Sequence, residues 1–144
     1  MKAHKVGWFE YFMDIAEMVS RRGTCDRKRV GCVMVKDRRI LATGYNGSMS
    51  GAEHCTDVGC MMEEGHCQRT VHAETNAIAA CARHGISCDG ASIYINTLPC
   101  WICFKILVNS GIKHIYYRDD YPASNKDKVF NHAARVGVDI TKVE

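Results

Sequence analysis

His72 and Glu74 stand two residues apart in His72-Ala73-Glu74, and further on Cys100 and Cys103 bracket Trp101-Ile102 in Pro99-Cys100-Trp101-Ile102-Cys103. One imidazole and two thiolates are three soft ligands for a tetrahedral zinc. Three protein ligands leave the fourth position to water, as a catalytic zinc requires. Zinc held this way moves the pKa of water toward neutrality, so hydroxide becomes available at cellular pH. Glu74, beside the histidine, is placed to carry protons without ligating the metal. Each piece alone is weak, since a C-x-x-C also serves as a redox pair and a single histidine is more often a hydrogen-bonded structural residue. Their order, with each piece opening a predicted helix, makes the set specific.

The elements that must position these residues follow from periodicity. Ala73 to His84 reads as a helix ended by Gly85, and Ala91 to Asn96 as a strand. Pro99 suits the first position of a helix running to about Ser110. There Cys100 and Cys103, at i and i+3, share one face of the first turn, where the helix dipole favours thiolates. Upstream, Trp8, Phe9, Phe12, Ile15, Ala16 and Val19 recur at helical spacing, predicting a helix from Lys5 to Arg22 that closes at Gly23. Val30 to Lys36 and Arg39 to Tyr45 read as a hairpin turning at Lys36-Asp37-Arg38. Asn46 to Val71 holds no period, and a loop of that length in a compact domain is functional or tied down. Ile112 to Tyr117 reads as a strand, Lys126 to Val136 as a helix and Val138 to Val143 as a last strand. Strands alternating with helices after an opening hairpin predict an α/β fold: a mixed sheet with helices on both faces, one domain spanning residues 1–144.

The chain has 144 residues, 47% of them hydrophobic and 24% charged, which is ordinary globular usage and excludes disorder. Its formal charge of +3 is too mild for a groove that tracks long nucleic acid, whereas a few arginines suffice for one phosphorylated small molecule. No apolar stretch approaches the roughly 20 residues needed to cross a bilayer. Met1 to Lys5 leads into an amphipathic pattern without a signal-peptide core. The expectation is a cytoplasmic protein with no membrane partner. Nine cysteines are many for such a chain, and an odd number counts against a fully paired disulfide framework.

Four of them, Cys25, Cys55, Cys60 and Cys67, form a second group with His54 and His66 beside them. Four thiolates make a closed structural zinc site that would pin the long loop to the first hairpin. Separate free thiols are the competing reading, because C-x4-C is not a tight zinc spacing, and His66 can replace one cysteine as ligand. Cys32 and Cys81 fall on strand and helix patterns and Cys88 in a turn, as core or incidental thiols do.

Three further groups are candidates for holding a substrate. Asn46 can both donate and accept a hydrogen bond, as a nucleotide reader must, although Asn-Gly is also a strong turn signal. Arg27 and Arg29 have the forked geometry that holds a phosphate, against the default of solvated surface charge. Tyr117, Arg118 and Tyr121, after the penultimate strand, are expected to wall the pocket.

The H-x-E…P-C-x-x-C set is the signature of zinc deaminases acting on nucleobases. Beyond it, Gly44-Tyr45-Asn46-Gly47, the stretch from Cys25 to Gly31, and His54-Cys55…Gly59-Cys60…His66-Cys67 resemble the deoxycytidylate (dCMP) deaminase family over about Arg21 to Arg118. The resemblance implies a cytidine deaminase-like three-layer α/β/α sandwich with a mixed five-stranded sheet. It implies hydrolysis of dCMP to dUMP and ammonia, feeding thymidylate synthesis, with zinc on His72, Cys100 and Cys103 and Glu74 as the proton carrier. The asparagine matching Asn46 would contact the nucleotide and the backbone at Ala73 would read the pyrimidine. A second zinc at the other cysteines occurs in some members. The Gly44-Tyr45-Asn46-Gly47 region is associated with dCTP activation and dTTP inhibition, Mg2+ accompanying the effector, in homo-oligomers that are commonly hexamers. The proline that usually follows that motif is replaced here by Met49. Rival readings are deamination of 5-methyl-dCMP, of a cytosine nucleoside or free base, or of tRNA adenosine, for which the charge is too mild. Two non-deaminase rivals are a zinc protein that binds nucleotides as a regulator, which has no use for Glu74, and a thiol redox protein, which leaves His72 and Glu74 unexplained.

Overall fold

Gly31–Lys36 alternates Cys32 and Met34 with Val33 and Val35, so a strand here offers apolar groups to both faces of a sheet. The computed structural model, which describes residues 4–25, 27–120 and 123–144, covers both faces with helices. In chain order the elements are α1 (Trp8–Ser20), β1 (Gly31–Lys36), β2 (Arg39–Tyr45), β3 (Gly47–Ser48), α2 (Cys55–Val58), β4 (Met62–Glu63), β5 (His66–Cys67) and β6 (Thr70–Val71). There follow α3 (Ala73–His84), β7 (Ser92–Thr97), α4 (Trp101–Asn109), β8 (His114–Asp119), α5 (Ala123–Ala133) and β9 (Asp139–Lys142).

Five strands form the main sheet in the order β2-β1-β7-β8-β9. Pairing is antiparallel from β2 through β1 to β7 and parallel from β7 through β8 to β9, so the sheet is mixed. On one face Cys32 and Met34 pack with Ala77 and Cys81 of α3, Phe104 and Leu107 of α4, and Val129 of α5. On the other, Val33 and Val35 meet Phe12, Met13 and Ala16 of α1. The result is the expected three-layer α/β/α sandwich. Each of its large apolar side chains contributes about 1.5–3 kcal/mol by leaving water.

Two glycines set how closely the layers approach. A Cβ at Gly31 would collide with the backbone of Ala16 and Ser20 in α1, and one at Gly44 with the carbonyl of Ala73 and the nitrogen of Ala77 in α3. The β1–β2 turn is made without glycine: Asp37 and Arg38 both take positive φ, 53° and 61°, as a two-residue hairpin loop requires.

Several boundaries move from expectation. The opening helix is shorter at both ends than Lys5 to Arg22. The stretch from Asn46 to Val71 is built from four two-residue strands and one turn of helix, too short to carry a readable period. Pro99 precedes α4 by two residues, and Cys100 is the N-cap, its Sγ accepting from the Cys103 N–H at 3.5 Å. A sulfur here does what a serine or aspartate oxygen usually does. β8 runs two residues past Tyr117, and α5 begins three residues before Lys126. Among the described residues no helix is long and apolar enough to cross a membrane.

Gly44→Ala is expected to lose about 1–3 kcal/mol of stability by overpacking, whereas Gly7→Ala, with nothing within 4 Å of the added carbon, should stay within about 0.5 kcal/mol of the parent. Urea unfolding of the two variants measures the difference.

Candidate active site

α3 and α4 point their N-termini at one spot. His72 is the N-cap of α3, Cys100 the N-cap of α4, and Cys103 lies in the first turn of α4. His72 Nδ1 is 3.5 Å from Cys100 Sγ and 3.3 Å from Cys103 Sγ. A tetrahedral zinc with bonds of about 2.3 Å to sulfur and about 2.05 Å to nitrogen separates such donors by about 3.5 Å. The three side chains therefore fit the ion both in donor chemistry and in spacing. The shared hydrogen bond with Cys103 holds the Cys100 thiol down to about 4, while the same bond and burial push Cys103 up, so the pair presents a thiolate at neutral pH. His72 is raised by its hydrogen bond with Cys100.

Glu74 is 4% exposed, and burial pushes its carboxyl up to about 7. It lines a cavity of about 400 Å3 together with His72, Ala73 and Cys100. Ala73 is fully buried, its carbonyl accepting from the Cys32 thiol at 3.4 Å, and its own N–H, first in α3, has no acceptor within the helix. Cys32 remains protonated for this role because burial raises its pKa.

The remaining candidates divide. Asn46 is buried in the cavity wall, and its side chain accepts from the Val30 N–H at 2.8 Å and donates to the Lys28 carbonyl at 2.6 Å. It thereby ties down the segment that carries Arg27 and Lys28, which both line the cavity and are exposed. Arg29 is not among the lining residues. Its carbonyl instead accepts from Asn96 Nδ2 at 3.1 Å. Tyr117 and Arg118 do not wall the cavity. Tyr117 is 3% exposed in the core, edge-on to Phe130 of α5, and Arg118 pairs with Asp14 at 3.6 Å and Glu17 at 3.3 Å on α1. Neighbours on a strand point to opposite faces, and since β8 continues to Asp119 both residues face helices. The wall falls instead at Asp120. Tyr121 lies outside the described residues. Of the Gly44-Tyr45-Asn46-Gly47 segment, Gly44 packs on α3, Tyr45 is partly exposed and Gly47 sits against the Tyr45 ring.

Cys25, Cys55, Cys60 and Cys67 bring their sulfurs within 4.8 Å of one another. Cys25 and Cys60 are 3.8 Å apart and Cys55 and Cys67 3.5 Å, against about 3.8 Å between thiolates on a tetrahedral zinc. His66 is not part of this group and lines the cavity instead, while His54 meets the Thr24 hydroxyl at 3.2 Å. Burial opposes ionisation of Cys67, but hydrogen bonds with the backbone of Arg69 and Met61 and with Cys55 and Cys60 bring it down to about 6.

Residues 6–119 match the family described as the cytidine and deoxycytidylate deaminase zinc-binding region. The chain belongs to that family. Among relatives of this deaminase-family chain, ComE operon protein 2 of Bacillus subtilis is 43% identical over 141 residues, covering 97% of this chain and 73% of the relative. The deoxycytidylate deaminase of Mycobacterium phage D29 is 37% identical over 121 residues, covering 76% of this chain and 93% of the relative. The dCMP deaminase of cyanophage S-TIM5, solved in complex with dCMP and dUMP, superposes with a TM-score of 0.83 at 32% identity, covering 98% of this chain and 100% of that one.

Sequence reasoning passed over three residues of this deaminase-family site. Thr75 places its hydroxyl 3.7 Å from Cys103 Sγ, and Lys28 shares the cavity wall with Arg27. Asn96 is 5% exposed at the end of β7, accepting from the Gly31 N–H at 3.0 Å and donating to the Arg29 carbonyl. A polar residue inside an apolar strand pattern was the available signal for Asn96. Asn96→Asp keeps the acceptor for Gly31 but turns a second acceptor toward Arg29, so a loss of about 1–3 kcal/mol is expected by urea unfolding. Parent-like stability would remove Asn96 from this role.

Proposed function

We propose that this chain is a zinc-dependent hydrolase that converts dCMP and water to dUMP and ammonia, supplying dUMP for thymidylate synthesis. The observation that carries the reading is a buried Glu74 in the same cavity as His72 and Cys100, with Arg27 and Lys28 in its wall. The phage deoxycytidylate deaminase and the cyanophage enzyme that binds dCMP and dUMP support the choice of substrate.

Zinc held by His72, Cys100 and Cys103 supplies the Lewis acidity that makes water a nucleophile near neutral pH. Glu74 takes the proton that water gives up as its oxygen bonds to C4 of the cytosine ring. It passes that proton to N3, then takes the second proton from the hydroxyl now on C4 and delivers it to the exocyclic amine as the C4–N bond breaks, leaving the C4 carbonyl and ammonia. A carboxyl raised by burial to about 7 gives and takes a proton with little cost in either direction. The N–H of Ala73 and the side chain of Asn46 orient the pyrimidine and sugar, and Arg27 with Lys28 holds the 5′-phosphate.

A second, structural zinc is held by Cys25, Cys55, Cys60 and Cys67. Supporting it is the spacing of the four sulfurs. The effectors dCTP and dTTP, with Mg2+, act through Gly44, Tyr45, Asn46 and Gly47, and Asn46 joins that segment to the cavity wall. A homo-oligomer, a hexamer in the resemblance, is supported by the exposed aromatic side chains that α1 carries together, Trp8, Phe9 and Tyr11.

Glu74→Gln is expected to retain zinc while dCMP turnover falls by about 10²-fold or more. Zinc analysis and an ammonia-release assay on the same preparation check both halves, and undiminished turnover would remove Glu74 from the proton path.

A further inference from the structure

Asn76 belongs to none of the roles assigned above, yet its hydrogen bonds converge on two of them. It lies one turn into α3, half-buried, and its side-chain Nδ2 donates to the carbonyl of Tyr45 at 2.9 Å and to the carbonyl of Val71 at 3.3 Å. Its backbone N–H donates to the carbonyl of His72 at 2.9 Å. That backbone bond is the ordinary first bond of the helix, so what the side chain adds at His72 is its hold on the Val71 carbonyl that enters it. The other hydrogen of the same amide holds the peptide that leads directly into Asn46.

We propose that Asn76 is a positioning residue that sets the separation and orientation of His72 and Asn46, joining the metal ligand to the nucleotide contact through one carboxamide. The proposal rests on the roles given to His72 and Asn46 under the proposed function. The local physics explains why such a residue is needed. An N-cap side chain ordinarily closes the first turn of its helix, but the His72 imidazole makes no cap hydrogen bond and faces Cys100 and Cys103 instead. The backbone of His72, at φ −64° and ψ 150°, thus lacks the usual restraint at the point where the ring must be aimed. The Asn76 side chain supplies a restraint from inside the helix by holding the Val71 carbonyl of the peptide that enters His72. On the other side, Asn46 is fixed by Val30 and Lys28, which orients it to the loop, while the bond from Asn76 to Tyr45 fixes it to α3. Both donors of the amide are used, so the role calls for an NH2 group. A carboxylate of the same shape would put one oxygen, in place of the NH2 group, against both carbonyls.

The test is equilibrium competition for zinc against a chelator, with steady-state kinetics on dCMP, for the parent, Asn76→Ala and Asn76→Asp. Cys103→Ser identifies which zinc-release step belongs to the His72 site. Alanine is the stronger helix former, which favours folding of that variant, and the aspartate variant preserves volume if it does not fold. Both substitutions are expected to weaken zinc at the His72 step by about 10–100-fold, and to lower kcat and raise KM for dCMP together, with Asn76→Asp at least as impaired as Asn76→Ala. Zinc affinity within twofold of the parent in both variants, with only the melting temperature changed, would overturn the proposal. Parent-like behaviour of Asn76→Asp would overturn it too, since a packing role needs only the shape. If the parent itself does not deaminate dCMP, the substrate reading fails while the zinc competition still decides the role of Asn76.

Discussion

The structure depends on bringing the N-termini of α3 and α4 to one point. His72 is the N-cap of the first helix and Cys100 of the second, so the residues that end each loop are also two of the three side chains that converge with zinc-ligand chemistry. Helix N-termini carry unpaired N–H groups and the positive end of the dipole, which favour a thiolate there. The same arrangement removes the imidazole from ordinary capping. Much of the surrounding sequence can be understood as holding two helix starts in register without it: Gly44 admits α3 to the sheet backbone, and the Cys32 thiol holds the Ala73 carbonyl.

The second constraint is to keep a carboxylate buried beside that point while leaving room for a ligand. Burial raises the proton affinity of Glu74, and the cavity it lines extends to the exposed Arg27 and Lys28. Two buried asparagines hold this cationic segment. Asn46 binds Lys28 and Val30, and Asn96 binds Arg29 and Gly31. Backbone groups of this segment that would otherwise be unpaired are thus satisfied by side chains from either side of β1, Asn46 just past β2 and Asn96 in β7. The four-cysteine group lies against the same cavity through Cys25 and Cys67, so the irregular loop is anchored where it meets the site.

The fold was legible wherever period and punctuation agreed. α3 matches its expected bounds because its small apolar face ends at Gly85, and β2 matches because the hairpin turn is short. Legibility ended where a single residue decides an end. Cys100 replaces Pro99 at the start of α4 because a sulfur can cap, and β8 passes Tyr117 because its register with β7 continues to Asp119. That two-residue extension misplaced Tyr117 and Arg118. The convergence of His72, Cys100 and Cys103 was readable from spacing because chemistry limits the residue types that can hold zinc. Asn96 and Asn76 were not, because hydrogen bonds to distant carbonyls leave no period in the sequence.

The activity proposed for this site is deamination of a phosphorylated cytosine nucleotide. Its most direct test is ammonia release from dCMP and from deoxycytidine by zinc-loaded protein, with zinc counted per chain. Two zincs per chain and a kcat/KM for dCMP at least about 10²-fold above that for deoxycytidine are expected, since the nucleoside leaves Arg27 and Lys28 without their charged partner. Equal turnover of the two would contradict phosphate recognition in this cavity, and zinc-loaded protein inert toward both would contradict the assignment of the reaction itself.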